Sequence, residues 1–204
     1  MNTITTPIGT ARYCWLTNPS KGQYDGEHGL YRCELVLEKS DWEALKTQLK
    51  PIYDTAYDAE CKKQGKELKK AETPFKIDAE GNHYIKTKLK AGGIDRMNKP
   101  YTLSVARHDS QGNPITDDTI VGGGSRIKLG IKVRPWFVAQ HGFGITLEPH
   151  AVQIIELVEV SASGKFDFTS EENGYTHGGE SYEFSEEKPN AETKEENKPL
   201  AADF

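Results

Sequence analysis

Residues 120–137 constrain the fold of this chain more than any other segment, because their second half alternates strictly. From Arg126 the sequence reads R-I-K-L-G-I-K-V-R-P-W-F, with an apolar residue at every second position up to Val133. A period of two residues predicts a strand that buries one face. Every charge on the opposite face is positive, and the run closes in Pro135-Trp136-Phe137.

Two interpretations of this basic strand are open. A cationic strip that ends in aromatic rings suits a polyanion with flat bases, since the charges can meet phosphates and the rings can meet bases. Alternatively, the strand lies at the edge of a sheet, where Lys and Arg keep it solvated and prevent it from pairing with other chains.

The body as a whole, with this basic strand included, is predicted to contain five or six strands, bounded by turn residues and carrying period-two patterns. In the third of them, Tyr84, Lys86 and Lys88 share one face and Ile85 and Leu89 the other. In the last, Glu148-Pro149-His150 should form a bulge or a break. The strands are expected at residues 8–16, 31–37, 84–89, 101–108, 126–137 and 144–160.

One helix is expected after the second strand. Ser40 and Glu43 have the spacing of a capping box. Apolar residues then recur at steps of three and four, and Trp42 on this stripe is expected in the core. Pro51 lies inside the pattern and should kink or split the helix, which is expected to end near Lys63.

This order of elements predicts a mainly β fold. It fits a five-stranded OB-type Greek-key barrel with one inserted α-helix, and a flat α+β sandwich is the competing architecture. Residues 167–204 contain eleven Asp and Glu against three Lys, a net charge of -8, so that residues 1–166 carry +3 of the total of -5. We expect the acidic segment to be a disordered tail.

Patterns for catalysis, metal binding and membrane insertion are not found in the sequence. Gly122-Gly123-Gly124-Ser125 lacks the Lys of a phosphate-binding loop and precedes a strand rather than a helix, so we expect a tight turn. The six His and three Cys are scattered, and no segment approaches the roughly 18 apolar residues of a membrane helix. The chain is therefore expected to be a binding protein, without enzymatic activity, metal or cofactor.

Four motifs in order along the chain resemble the single-stranded DNA-binding proteins of bacteriophages, of the type encoded by short-tailed coliphages. They are Gly9-Thr10-Ala11, the segment I-V-G-G-G-S at residues 120–125, Glu172-Asn173-Gly174-Tyr175, and the acidic end Asp203-Phe204. The ordered set is specific, although no single motif is. The tail departs from the family pattern, since three Lys and two Pro interrupt its acidic residues.

The resemblance implies a single-stranded DNA-binding OB domain over residues 1–166 and a tail, residues 167–204, that docks replication proteins such as a polymerase or helicase. It implies a role in phage DNA replication and recombination, in the cytoplasm of the infected bacterial host, with no membrane partner. Asp203 and Phe204 are the expected partner-binding residues. The expected DNA-binding residues are Trp136 for stacking, Arg126, Lys128, Lys132, Arg134, Lys86 and Lys88 for phosphates, and in a second group Arg12, Tyr13, Trp15, Tyr84, Tyr101 and Arg107.

Two other functions fit the same sequence. One is an RNA-binding OB module, and the other is a non-catalytic structural or adaptor protein. A comparison of the affinities for DNA and RNA of one sequence distinguishes an RNA-binding module from a DNA-binding protein. Binding of neither polymer would indicate a structural or adaptor protein. The sequence leaves the oligomeric state open, a homodimer included.

Overall fold

The computed structural model describes residues 3–23 and 25–158 of the chain. The predicted boundary at residue 166 and the acidic tail with Asp203 and Phe204 lie outside the described residues. The elements in order are β1 (Thr3–Thr5), β2 (Gly9–Ser20), β3 (Leu30–Leu37), α1 (Lys39–Gln64), β4 (Phe75–Ile77), β5 (His83–Lys90), β6 (Gly92–Ile94), β7 (Pro100–Thr102), β8 (Ala106–His108), β9 (Arg126–Val138) and β10 (Gly142–Glu156).

Five of these strands close into a barrel. β2 pairs antiparallel with β3, and β3 pairs antiparallel with β5. β5 then pairs parallel with β10 at Thr87 and Leu147. β10 pairs along its length with β9, which returns to β2 at Gly9 and Ile127. This ring, with the fourth strand lying between the fifth and the first, is the five-stranded Greek-key barrel of the OB fold. The fold predicted from the sequence is confirmed.

The basic strand β9 lies inside the sheet. It has β10 on one side and β1 and β2 on the other, so the interpretation of a solvated edge strand is wrong. Its apolar positions Ile127, Leu129 and Ile131 are fully buried. Each such side chain contributes roughly 1.5–3 kcal/mol through its removal from water. The alternation therefore identified the core face correctly.

β3 and β5 follow their predicted alternation as well, and they position the site described below. Inward-facing Cys33, Leu35, Ile85 and Leu89 are buried in the core. The outward positions therefore form a continuous face, on which β3 and β5 pair residue by residue. In β10, the register shifts between Pro149 and Ala151, at the position of the predicted break.

The strand predicted at residues 101–108 is two strands with different partners. β7 pairs with β6 in a separate hairpin, whereas β8 pairs parallel with β10. The Leu103 amide donates to the Ala91 carbonyl at 2.7 Å, which extends the β6–β7 ladder by one residue, and residues 103–105 belong to neither strand. Val105 is buried as expected, but Leu103 is exposed. The alternation of apolar and polar residues at 101–108 does not show that the two ends of this segment pair with different strands.

Helix α1 covers one side of the barrel through Trp42, Leu45 and Leu49, which are buried. The prediction of a capping box at Ser40 and Glu43 is wrong. The helix begins at Lys39, and its N-cap residue Glu38 makes no side-chain capping hydrogen bond. Pro51 does not split the helix, which continues to Gln64. Pro51 lies on the exposed face, where water can satisfy the carbonyl that its missing N–H leaves unpaired.

Candidate nucleic-acid interface

The aromatic end of β9 lies against β10. Trp136 is directly opposite Gly144 in the antiparallel ladder, and a Cβ on Gly144 would lie 2.6 Å from Cζ2 of the indole. The missing side chain of Gly144 therefore provides the space that the Trp136 ring occupies. The ring is half-buried, so it is held in place by the strand while part of it remains accessible.

A bulge in β2 turns two more aromatic side chains outward. Arg12 pairs with Glu34 and Trp15 with Arg32, so that two residues of β2 oppose one of β3 between these pairs. Tyr13, one of the two, has φ 49° and is 69% exposed. Trp15, just beyond the bulge, is 46% exposed. A β-bulge changes the direction in which nearby side chains point. This bulge leaves the aromatic rings of Tyr13 and Trp15 exposed.

Tyr13, Trp15 and Trp136 line one groove of about 620 Å³, which crosses the outward face of β3 and β5. This face, made by the second and third strands of an OB barrel, is where such barrels bind oligonucleotides. The groove thus combines three aromatic rings with the side-chain ammonium and guanidinium groups of β3 and β5. Its cationic residues are Arg32, Lys86 and Lys88.

Glu34 is the carboxylate at the centre of this face. It accepts hydrogen bonds from Arg12, with Nε at 3.0 Å, and lies 3.4 Å from the Lys86 ammonium. Arg12 also donates to Asp78 at 2.8 Å, and its guanidinium lies 4.6 Å from the centre of the Tyr84 ring. The hydrogen bond from Arg12 lowers the pKa of Asp78 from 3.8 to about 2. Arg12 and Tyr84 are therefore held beside the groove, where Arg12 contacts the Glu34 that lines it, and Arg12 is already neutralised by two carboxylates.

The arginines of β9 are also paired. Arg126 lies 2.9 Å from Glu156, and Arg134 lies 3.2 Å from Glu148. Both carboxylates are on β10, so the uniformly positive face of β9 is partly balanced by its neighbour. Among the residues that the structure describes, the expected phosphate ligands without a carboxylate in ion-pair distance are Lys88, Lys128 and Lys132.

Tyr101 and Arg107, two further expected DNA-binding residues, also lie away from the groove lining. Tyr101 is on the β6–β7 hairpin. Arg107 is on β8, where its Nη1 donates to the Thr119 carbonyl at 2.9 Å. Five of the thirteen expected residues thus line the groove, namely Tyr13, Trp15, Lys86, Lys88 and Trp136. Arg12 and Tyr84 lie beside it, next to Glu34, and the other six lie on β7, β8 and β9.

Metal binding and membrane insertion can be assessed for the described residues. Within residues 3–23 and 25–158, no group of three or more His, Cys, Asp or Glu is arranged to hold a metal ion. No helix in the described segments has the length and apolar character needed to cross a membrane.

Comparison with known proteins gives the family. The family model described as "Single-stranded DNA-binding protein, Bacteriophage T7" matches residues 8–157. The chain belongs to this family. The resemblance inferred from the four motifs is thereby confirmed.

Two relatives of the family are similar over most of the chain. A single-stranded DNA-binding protein of Enterobacteria phage T3 is 26% identical over 84% of this chain and 84% of its own length. The corresponding protein of Escherichia phage T7 is 26% identical over 86% of this chain and 85% of its own. Both are named as single-stranded DNA-binding proteins.

Solved structures share the fold. The crystal structure of gp2.5, a single-stranded DNA-binding protein encoded by bacteriophage T7, has a TM-score of 0.67 and 23% identity, covering 86% of this chain and 98% of that one. The single-stranded DNA-binding protein of bacteriophage Enc34, in complex with single-stranded DNA, has a TM-score of 0.55 and 16% identity, covering 77% and 88%.

Three residues that line or shape this family member's groove were missed by sequence reasoning. Arg32 and Glu34 alternate with the buried residues of β3, so the same pattern that found Lys86 and Lys88 could have found them. Arg32 donates to Ser20 Oγ at 2.8 Å and lies 3.7 Å from Asp25, and the Ser20 hydrogen bond lowers the pKa of Asp25. No pattern in the sequence indicates the role of Gly144, because that role depends on the Trp136 ring opposite it on β9.

Proposed function

We propose that this protein binds single-stranded DNA without reading its sequence. The observation that carries the proposal is the groove over β3 and β5, in which Tyr13, Trp15 and Trp136 surround Arg32, Lys86 and Lys88. Every base has a face on which an aromatic ring can stack, at roughly 1–3 kcal/mol per base, and this preference is tolerant of sequence. Lys and Arg add attraction to phosphates that all sequences share.

The DNA-binding residues in this proposal form two groups. Tyr13, Trp15 and Trp136 stack on bases, and Arg32, Lys86 and Lys88 contact phosphates from β3 and β5. Arg12 and Tyr84 support the groove wall from the side, through Glu34 and Asp78. Arg126, Lys128, Lys132 and Arg134 on β9, with Arg107 on β8, supply a wider positive field.

The wider role that we propose is coating of single strands during phage DNA replication and recombination, in the cytoplasm of the infected host. Family membership supports it, because coating proteins of this kind need sequence tolerance. The acidic segment 167–204, with its net charge of -8 and terminal Phe204, is proposed to recruit replication proteins such as a polymerase or helicase, with Asp203 and Phe204 in the contact.

A titration of fluorescent oligo-dT, with matched duplex DNA as the competitor, tests the DNA-binding proposal. The full-length chain should prefer the single strand. With three groove cations on phosphates, the logarithm of the binding constant should fall by about 2 for each tenfold rise in salt, at roughly 0.7 per phosphate. Equal affinity for duplex and single strand would contradict the proposal.

The same titration with matched oligo-dU and oligo-rU separates DNA binding from the RNA alternative. Because the groove is expected to act through base stacking and phosphate contacts, DNA should bind at least as tightly as RNA. A clear preference for oligo-rU would instead support an RNA-binding module. Binding of neither polymer would support an adaptor protein.

A further inference from the structure

The β6–β7 hairpin is uncovered along most of its length. All residues from 94 to 104 are exposed. They include apolar side chains that proteins normally cover, with Ile94 66% and Met97 75% exposed. A two-stranded hairpin alone is marginally stable in water. A surface of this kind is therefore expected to have a binding partner.

The charge of the hairpin is positive. Arg96 and Lys99 on the hairpin and Lys90 at the end of β5 beside it are exposed, and no carboxylate of the described segments lies within ion-pair distance of them. The Asp95 carboxylate is engaged within the turn, since it accepts hydrogen bonds from the amides of Met97 and Lys99, each at 2.8 Å. Three unpaired cations beside exposed apolar groups favour a polyanion that also has apolar faces.

Tyr101 repeats an arrangement found in the groove. It lies opposite Gly93 in the hairpin ladder, and a Cβ on Gly93 would lie 3.1 Å from its hydroxyl oxygen and 3.3 Å from two ring carbons. Trp136 has the same relation to Gly144. In both places a cross-strand glycine makes room for an aromatic ring on a sheet surface, and both rings retain exposure.

The hairpin continues directly from the groove. Leu30, which lines the groove, pairs with Lys90 at the end of β5. The next residue, Ala91, donates its amide to the Gly29 carbonyl at 3.0 Å and accepts from the Leu103 amide at 2.7 Å. These bonds fix the base of the hairpin to the groove end formed by β3 and β5.

From these observations we propose that the hairpin Gly92–Thr102 is an arm that binds the single strand where it leaves the groove. Tyr101 stacks on a base, Lys90, Arg96 and Lys99 contact phosphates, and Ile94 and Met97 cover apolar faces of bases. A protein partner or a second copy of the chain explains the apolar side chains, but it does not explain the three unpaired cations and the continuity with the groove. The inference rests on the proposed binding of single-stranded DNA and adds a second contact to it.

A length series of oligo-dT tests the arm with the full-length chain. Single OB folds cover about 4–16 nucleotides. Oligomers of about 4–5 nucleotides should fill the groove alone, and those of about 16 should also reach the arm. Tyr101→Ala should therefore weaken binding of the long oligomer by roughly 5- to 150-fold, the range expected for one lost stack, and leave the short one unchanged. Tyr101→Phe, which keeps the ring, should restore the long-oligomer affinity.

A charge variant gives a second readout. In Arg96→Gln/Lys99→Gln, the salt dependence for the long oligomer should decrease by about 1.4 in its logarithmic slope, at roughly 0.7 per phosphate. Lys62→Gln/Lys66→Gln is the matched control, because it removes two exposed lysines that line neither the groove nor the hairpin. All four positions are exposed, so melting temperatures should stay unchanged.

The two proposals can fail separately. If the wild type binds both oligomers but Tyr101→Ala binds the long one as tightly as the wild type does, the arm is wrong and the groove stands. A change in self-association with no change in DNA affinity would assign the hairpin to a protein contact and also overturn the inference. If the wild type binds no oligomer of any length, the proposed function fails, and the arm fails with it.

Discussion

Gly144→Ala is the substitution that tests most directly how Trp136 is positioned. The added Cβ would lie 2.6 Å from Cζ2 and 2.9 Å from Cε2 of the indole. Carbon atoms in ordinary contact are about 3.5–4.0 Å apart. The ring must therefore move by about 1 Å or rotate away, and it then no longer stands where a base would stack on it.

The magnitude follows from the stack that is lost. Trp136→Ala should weaken binding of oligo-dT by roughly 1–3 kcal/mol, or about 5- to 150-fold. Gly144→Ala should act on DNA binding through the ring, because the other close neighbour of the new Cβ is the Ala71 methyl group at 3.2 Å. Its effect on binding should therefore not exceed this amount. In the background of Trp136→Ala, the same substitution has no ring to displace, and its effect should fall to within about 0.5 kcal/mol of zero.

The assay is fluorescence anisotropy with labelled oligo-dT for the wild type, both single variants and the double variant. Gly130→Ala is the matched control, because it lies on the neighbouring strand and its Cβ would meet only Ala151 within 3.4 Å, at 3.2 Å. It should retain DNA affinity. Thermal melts report whether each variant keeps its fold.

Two outcomes would refute this reasoning. If Gly144→Ala weakens binding equally with and without Trp136, the effect passes through β10 itself rather than through the ring. If Trp136→Ala lowers the melting temperature strongly and shows no specific binding defect, Trp136 is a core residue and the groove has lost its main stacking side chain.

Three further predictions concern the groove wall and the acidic segment. Because the pKa of Asp78 is lowered from 3.8 to about 2, its ionised form stabilises the fold above about pH 4, and this stability is lost as the pH falls through that interval. Asp78→Asn should therefore reduce the fall in melting temperature between pH 4 and pH 2. A fall as large as that of the wild type would contradict the role of Arg12. Deleting residues 167–204 should tighten oligo-dT binding at low salt and change it little at high salt, since a tethered polyanion competes with DNA and salt screens the competition; no tightening at any salt would exclude self-competition. Deleting Phe204 alone should weaken pull-down of a replication polymerase or helicase while DNA affinity stays the same, and a parallel loss of DNA affinity would count against a separate docking role.

Much of the fold could be predicted from local patterns. The alternation in β3, β5 and β9 identified which residues are buried, because a strand places successive side chains on opposite faces. The same alternation placed Lys86 and Lys88 outward, on what became the groove. The helix was found by its apolar stripe, although its first residue was not, since a capping pattern does not require that the cap be used.

What the sequence determined by itself was therefore which faces are apolar, which are cationic and where aromatic rings are available. Only the tertiary structure decided which of these meet. Strand pairing over more than 100 residues of sequence brings Trp136 to the groove that Tyr13 and Trp15 enter. It also sets Glu148 and Glu156 beside Arg134 and Arg126. A period of two fixes the face of one strand, but charge balance and groove shape depend on the neighbouring strands, and these are chosen by the closure of the barrel.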